Sequence, residues 1–350
     1  KQLEAALTLY EEAREEATKP GDRANAIRGA AQTCARLGRW QHAGKLYAQL
    51  RDLGDADDAP TTVRRMAHDA RIKRLELLLA HAPPAEAVAE LMATLEDGHL
   101  RQQYGLVRTA TKKMDHEQLD TLRGLFQDEL LRHCNHQERL YQVLVTLHDI
   151  ARARGHKAEA LQAAASCYYL CSNRRLMESV KRVVDALHRV DGDLSRALDF
   201  LWLVRCGPAG YDQKAGTEDD LAPILPRLTA PADAKTAALV DDVLKRRIWG
   251  RGAGHRHARL YLVLNQPAKA LACLRRAFEL CPRDKKKLQY TLDQVATLTY
   301  RLTHDKTKAD AAAAFLAYGA HGKDGKPGTD DDLQDPFAAI EAGLKADEAE

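Results

Sequence analysis

A helix–turn–helix pattern returns along this chain about every 37 to 44 residues. It is clearest over residues 258–282, where small and apolar residues at helical spacing lie on both sides of Asn265, and it recurs over 27–50 and 144–167. Charged residues make up 29% of the 350 residues and aromatic residues only 5%, a balance that favours helices over strands. Each helix pair has an apolar stripe that it cannot bury alone, so neighbouring pairs must stack. The sequence therefore predicts an all-α protein.

The residues of these units resemble the tetratricopeptide repeat. Small residues such as Ala30, Ala43 and Ala270 stand where two antiparallel helices would touch, and Pro282 follows the second helix of its unit. The resemblance implies a right-handed α-solenoid of antiparallel helix pairs, whose first helices form a concave face that binds a peptide or a helix. The basic clamp with which some members bind C-terminal carboxylates is not visible in the sequence. By the same resemblance, the partner-binding positions are Arg28, Gln32, His255 and Arg259.

Two Gly/Asp-rich segments interrupt the repeats and set the expected domain boundaries. Residues 207–221 and 319–333 are identical at nine of fifteen aligned positions, and each follows a predicted second helix. We expect N-terminal repeats over 1–205, a loop insertion over 206–231, C-terminal repeats over 232–318, and a second loop with an acidic tail over 319–350. The chain also begins inside an amphipathic helical pattern, which predicts that it is a section of a larger chain.

The two loops allow three interpretations. In the first, Thr217 and Thr329 cap the helices that follow. In the second, carboxylate and backbone oxygens bind calcium. The loops are loosely similar to the Asp-rich calcium loops of extracellular bacterial and adhesive modules. Against calcium, they do not fit an EF-hand, and Lys214 and Lys326 place a cation in each loop. In the third, the loops dock a protein. The calcium ligands would be Asp212, Glu218, Asp219 and Asp220 in the first loop, and Asp324, Asp330, Asp331, Asp332 and Asp335 in the second.

Charge is distributed unevenly along the chain. The basic segment, residues 245–287, holds thirteen Lys and Arg against two acidic residues, a net charge of +11, which leaves −8 for the rest of a chain whose net charge is +3. This separation suggests an acidic partner or contact with another part of the chain. The cations of the segment are first expected to form a solvated helix face; among partners, a protein is favoured over nucleic acid because no nucleic-acid-binding motif is present. Trp249 among these cations keeps single-stranded nucleic acid as an alternative. The predicted partner contacts added by this segment are Lys245, Arg246, Arg247 and Arg251.

The sequence offers no clear catalytic or structural metal site. The seven cysteines form no regular framework and are expected to be free thiols, which mildly favours the cytoplasm, whereas calcium loops would indicate an extracytoplasmic location. The segment His133-Cys134-Asn135-His136 is expected to be a helix terminus, and no nucleophile motif or membrane-spanning apolar run is present. We therefore expect a non-enzymatic protein–protein interaction scaffold without a cofactor. The alternatives are a calcium-stabilised structural or cell-envelope repeat protein and a nucleic-acid-binding helical repeat.

Overall fold

The structure, a computed structural model, describes residues 1–96, 104–191, 194–209, 253–279 and 285–340, with the isolated positions 218, 221, 225, 237, 238 and 342. Throughout these residues the regular elements are helices, and consecutive helices pack in antiparallel pairs. The prediction of an all-α protein of stacked helix pairs is confirmed. The chain divides into two compact units, Lys1–Leu122 and Arg123–Glu350. The right-handed solenoid and the boundaries expected near residues 205, 231 and 318 stay predictions.

Helices of the first unit pack against their neighbours along the chain. In the described residues they are α1 (Gln2–Glu16), α2 (Pro20–Arg36), α3 (Trp40–Asp55), α4 (Thr61–His81), α5 (Pro84–Glu96) and α6 (Tyr104–Ala110), and α7 (His116–His133) begins here and ends in the second unit.

Small residues determine how closely the helices of the first unit approach. Ala30 of α2 and Ala43 of α3 are completely buried, in a core completed by larger residues such as Tyr47. A Cβ atom added at Gly54 of α3 would lie 2.2 Å from the Cβ atom of Ala67 in α4. Helix backbones come this close only where one side chain is absent or very small. The small residues that the sequence places at helix contacts therefore do lie there.

The three repeat turns predicted from sequence share one backbone structure. Gly38, Gly155 and Asn265 have left-handed φ angles of 74°, 75° and 53°. Each of their amides donates to the carbonyl three residues earlier at 3.1, 3.1 and 3.2 Å, and the next amide donates to the carbonyl five residues before it at 2.9, 2.8 and 2.8 Å. This pair of bonds is the Schellman motif, which satisfies the last carbonyls of the first helix as the chain reverses. The three units are thus equivalent at their turns.

Helices of the second unit also follow one another in antiparallel pairs. In the described residues they are α8 (Gln137–Ala153), α9 (Lys157–Leu170), α10 (Leu176–Asp191), α11 (Leu194–Cys206), α12 (Ala253–Val263), α13 (Pro267–Glu279), α14 (Lys285–Thr303) and α15 (Lys306–Tyr318). A short helical turn follows at residues 336–340. Among the helices of both units that the structure describes, none combines the length and apolarity that a membrane crossing requires.

Helix α9 lies at the centre of the second unit. Every residue from Ala160 to Leu170 is buried, and the helix packs against α8, α10, α12 and α14. Two of its polar side chains bond to the end of α12: Gln162 Nε2 donates to the carbonyl of Val263 at 2.5 Å and Ser166 Oγ to that of Leu262 at 3.0 Å. A simple array of repeats joins each pair only to its neighbours. The packing around α9 departs from that rule, because α12 follows it by about 90 residues and still covers it.

Candidate functional site

The structure describes four of the eight predicted partner-binding residues, in two places. Arg28 and Gln32 are exposed one turn apart on α2, where Arg28 Nη2 donates to Asn25 Oδ1 at 3.0 Å. His255 and Arg259 lie one turn apart on α12, at the wall of a cavity in the second unit. The remaining four, Lys245, Arg246, Arg247 and Arg251, lie outside the described residues, so their role stays a prediction.

This cavity, which we call the arginine cavity, has a volume of about 210 Å³ and lies between α9, α12, α13 and α14. Arg259 extends from its wall to the turn between α7 and α8. Its Nη1 donates to the carbonyl oxygens of Cys134 at 3.2 Å and Asn135 at 2.9 Å, and its Nη2 donates to Tyr290 Oη at 3.2 Å. Carbonyls at the end of a helix carry partial negative charge, so these bonds stabilise the cation there. Arg259 therefore holds the unit together besides lining the cavity.

His255 is fixed beside Arg259. Its Nε2 lies 3.3 Å from Thr291 Oγ1, and its ring lies 5.3 Å from that of Tyr290. Burial, with a smaller contribution from the positive charge of Arg259, lowers the pKa of His255 below its ordinary value of 6.5. The imidazole is therefore neutral near pH 7, and the cations of this wall are its arginines.

A second arginine, Arg301 of α14, lines the arginine cavity, and the sequence does not single it out. It is only 3% exposed. Its Nη1 donates to the carbonyl oxygens of Tyr168 at 3.0 Å and Tyr169 at 2.8 Å, and its guanidinium lies 5.9 Å from the centre of the Tyr168 ring. In sequence, a cation in the last turn of a helix is usually solvent-exposed. Only the packing of α14 against α9 buries this one.

The described wall of the arginine cavity contains no aspartate or glutamate. Its polar residues are neutral apart from the two arginines, and Gln137 already donates to the carbonyl of Leu170 at 2.6 Å. A buried cation is costly unless charge or dipoles compensate it. The carbonyls that end α9 supply part of that compensation to Arg301.

A larger cavity of about 950 Å³ adjoins the first and shares Asn173, Thr297 and Arg301 with it. Its wall includes residues 205–209, where the first Gly/Asp-rich loop begins, and residues 304–310 between α14 and α15. His304 lines this cavity while its ring is almost completely buried against aromatic neighbours. Burial lowers the pKa of His304 to about 4.

The two Gly/Asp-rich loops are closed in the same way. Gly207 and Gly319 end their helices with φ angles of 81° and 74°. The amides of Leu221 and Leu333, fourteen positions further on in each copy, donate to the carbonyls of Pro208 and Ala320, both at 2.8 Å. The sequence repeat is therefore also a repeat of backbone structure at the base of the loop. In the first copy, Glu218 is exposed in a turn, whereas Asp212, Asp219 and Asp220 lie outside the described residues.

Within the second loop, carboxylates accept hydrogen bonds from the loop's own amides. Asp331 Oδ2 accepts from the amides of Lys323 at 2.7 Å and Asp324 at 3.0 Å, and its Oδ1 accepts from Thr329 Oγ1 at 2.7 Å. These bonds, that of Thr329 first, lower the pKa of Asp331 below its ordinary value. Gly322 makes this arrangement feasible, because a Cβ atom there would lie 2.0 Å from the carbonyl oxygen of Asp331.

The predicted capping role of Thr329 is wrong. Residues 329–335 are turns and irregular chain, and the next helical turn begins only at residue 336. Thr329 instead donates its hydroxyl within the loop, and the cap is Asp335, whose Oδ1 accepts from the amide of Phe337 at 2.9 Å. Asp335 also pairs with Arg275 Nη2 at 3.2 Å, which links the loop to α13. Thr217 lies outside the described residues.

We expect the substitution Asp331→Ala to release the second loop without unfolding the helices. The amides of Lys323 and Asp324 lose their acceptor, so their hydrogen exchange should become at least about tenfold faster. Asp330→Ala is the matched control, since it removes an adjacent exposed carboxylate that accepts no bond from a described residue. Equal acceleration in both variants would contradict the proposed role of Asp331.

Repeating the hydrogen-exchange measurement with millimolar calcium tests the calcium hypothesis, which requires slower exchange on addition of the metal.

Throughout the described part of the chain, no group of three or more His, Cys, Asp or Glu side chains is arranged to hold a metal ion. Four of the predicted second-loop ligands, Asp324, Asp331, Asp332 and Asp335, already accept backbone amides, while Asp330 is exposed. Calcium binding stays a prediction.

The predicted helix terminus at 133–136 is confirmed, because α7 ends at His133. The Nε2 atom of His133 pairs with Glu129 at 2.9 Å.

Large apolar side chains are exposed along one side of α11. Leu194, Leu198, Leu201 and Trp202, which we call the α11 stripe, are 38–54% exposed and follow helical spacing. Met177 of the preceding helix is 70% exposed. Contiguous exposed apolar surface commonly marks an interaction site.

No protein-family model, curated protein or solved structure matches this chain. Its function must therefore be inferred from its own residues.

Proposed function

We propose that this protein is a non-enzymatic interaction scaffold, built from tetratricopeptide-like repeats in a right-handed array, that binds a helix or peptide of a partner protein. The three equivalent Schellman turns and the small residues at helix contacts support the repeat architecture. Arg28 and Gln32 are exposed and available for the partner contacts predicted on the first helices.

The observation that carries the proposal is the α11 stripe. Four large apolar side chains on successive turns match the pattern by which an amphipathic helix docks its own apolar side. Trp202 in this position is typical of interface anchors, since aromatic residues contribute much of the binding energy at protein interfaces.

The charge beside the α11 stripe favours an acidic partner. Arg205 is exposed and lies 5.6 Å from the centre of the Trp202 ring. An amphipathic helix with Glu beside its apolar side would pair with Arg205 as its leucines cover the stripe. The excess of positive charge in the basic segment, 245–287, agrees with a partner of that charge.

The direct test uses two synthetic amphipathic helices with the same leucine side, one flanked by Glu and one by Lys. We expect the Glu-flanked peptide to bind more tightly at low salt, and Leu198→Asp to weaken its binding by at least about tenfold. Leu9→Asp is the matched control, because Leu9 of α1 is a 65% exposed leucine on another helix.

Three outcomes would contradict the proposal. These are that neither peptide binds, that the Lys-flanked peptide binds as tightly as the Glu-flanked one, or that Leu9→Asp weakens binding as much as Leu198→Asp does. Sedimentation of the unliganded protein excludes a further occupant: if Leu198→Asp converts a dimer to a monomer, a second copy covers the stripe and the proposed partner does not.

A further inference from the structure

The geometry of Arg301 points to a ligand site that is independent of the proposed scaffold function: we propose that the arginine cavity binds a small carboxylate. A guanidinium presents two edges to acceptors. The Nη1 side of Arg301 is taken by the carbonyls of Tyr168 and Tyr169. The opposite edge, Nε with Nη2, makes no hydrogen bond to any residue that the structure describes.

That open edge has the shape a carboxylate requires. Nε–H and Nη2–H point in parallel and bind both oxygens of one carboxylate in two hydrogen bonds. Arg301 as a whole is only 3% exposed, and its Nε and Nη2 are not among the fully buried unpaired side-chain atoms, so this edge remains accessible to a small ligand while the rest of the side chain is held in place. Its remaining contacts, two neutral carbonyls and a tyrosine ring, leave a full positive charge without an anionic partner.

Arg259 adds a second cation to the same cavity. It too is held by neutral oxygens of Cys134, Asn135 and Tyr290, and it forms no ion pair with a described residue. The cavity thus has two arginines and, among the described residues of its wall, no carboxylate. Elsewhere in the unit a largely buried arginine is paired: Arg182, whose side chain is 11% exposed, contacts both Asp149 and Glu178, at 3.2 and 2.9 Å. The missing anion in the arginine cavity is the one that a ligand would supply.

Cavity size and the rest of the wall restrict the ligand. A volume of about 210 Å³ holds a molecule of a few carbon atoms. Leu262, Leu274 and Leu298 provide apolar surface, and Gln294 and Thr297 provide neutral polar groups. These features fit a short-chain carboxylate with one or two acid groups, or the terminal carboxylate of a peptide that enters the cavity.

The first experiment measures binding of succinate by calorimetry at constant ionic strength, with succinamide as the uncharged counterpart of the same shape. A second arm compares a tetrapeptide with a free C-terminus and the same tetrapeptide amidated. We expect succinate to bind and succinamide not to bind. Binding confined to the free-terminus peptide would support the carboxylate site and identify a chain end as the source. If neither carboxylate binds more tightly than its amide, the proposal is wrong.

Three variants test whether succinate binds at the two arginines of the arginine cavity. Thr297→Glu puts a carboxylate one turn before Arg301 on the same side of α14, so it should occupy the open edge and weaken succinate binding by at least about tenfold while the fold is kept. Arg259→Gln should weaken binding in the same direction, and because it also removes the bonds to Cys134, Asn135 and Tyr290, urea denaturation must show that the variant remains folded. Arg276→Gln is the control of equal charge change, because Arg276 is exposed on α13 and pairs with Glu279 outside the cavity.

Unchanged binding by the Thr297→Glu variant would overturn the assignment to Arg301. Equal weakening by Arg276→Gln would also overturn it, because the effect would then follow from net charge alone. Arg301→Gln would not separate binding from folding, since that substitution also removes the two bonds to the carbonyls that end α9.

Discussion

Replacing Tyr168 by alanine should lower the free energy of unfolding of the second unit by about 3–5 kcal/mol. The ring of this α9 residue lies between α11 and the end of α14: it meets Phe200 of α11 edge-on at 5.4 Å, stacks on His304 at 6.0 Å and lies 5.9 Å from the Arg301 guanidinium. Its removal leaves a cavity among groups that cannot close around it, and it also removes favourable aromatic contacts. Urea denaturation followed by circular dichroism measures the change.

Tyr168→Phe separates the ring from its hydroxyl. This variant keeps the packing with Phe200 and His304, so we expect a change below about 1 kcal/mol. If the phenylalanine variant loses as much stability as the alanine variant, the ring contacts do not hold the helices together. A loss below about 1 kcal/mol in the alanine variant would equally contradict the central position assigned to α9.

The second large effect is a loss of stability in acid that depends on His304. In the folded protein burial lowers the pKa of this histidine from 6.5 to about 4. The His304 imidazole of the unfolded chain binds a proton at higher pH than that of the folded chain. Its contribution to the free energy of unfolding is therefore fully present above pH 6.5 and is lost as the pH falls towards 4. The difference in pKa corresponds to about 3 kcal/mol by pH 4. Burial lowers the pKa values of His255 and His257 in the same direction.

His304→Asn isolates this contribution. The residue has a left-handed φ of 53°, which asparagine tolerates, and the amide does not titrate in this range. We expect the stability difference between wild type and variant to shrink by about 3 kcal/mol between pH 7 and pH 4, measured by urea denaturation at each pH. Contributions of the carboxylates are common to both proteins and cancel. A difference that does not change with pH would show that His304 titrates normally.

Local features of the helix pairs were predictable from sequence. Gly38, Gly155 and Asn265 interrupt apolar patterns of helical period, and the backbone at such a break is limited to a few turn structures. Ala30 and Ala43 could be assigned to helix contacts because a small residue on an apolar stripe allows close approach. The duplication of the loops was also visible, and the shared closing bonds at Leu221 and Leu333 show that it extends to the backbone.

The role of individual loop residues was not predictable. A threonine followed by aspartates is typical of a helix start, but the helical turn begins at residue 336, and Thr329 bonds to Asp331 instead. Which amide a carboxylate accepts depends on the path of the loop, and Gly322 determines that path by its contact with Asp331. Composition reports that carboxylates and glycines are present, but not which of them are used by the backbone.

What the sequence by itself determined is the helical class, the antiparallel pairing and the turns, because these depend on periodicity and on residues close together in the chain. Only the tertiary structure decided that α9 is central, that Arg259 is held by the end of α7, and that Arg301 is buried beside a cavity without an acid in its described wall. Those facts join residues more than 90 positions apart. A local pattern cannot report them, because a cation in the last turn of a helix looks the same in sequence whether solvent or another helix lies over it.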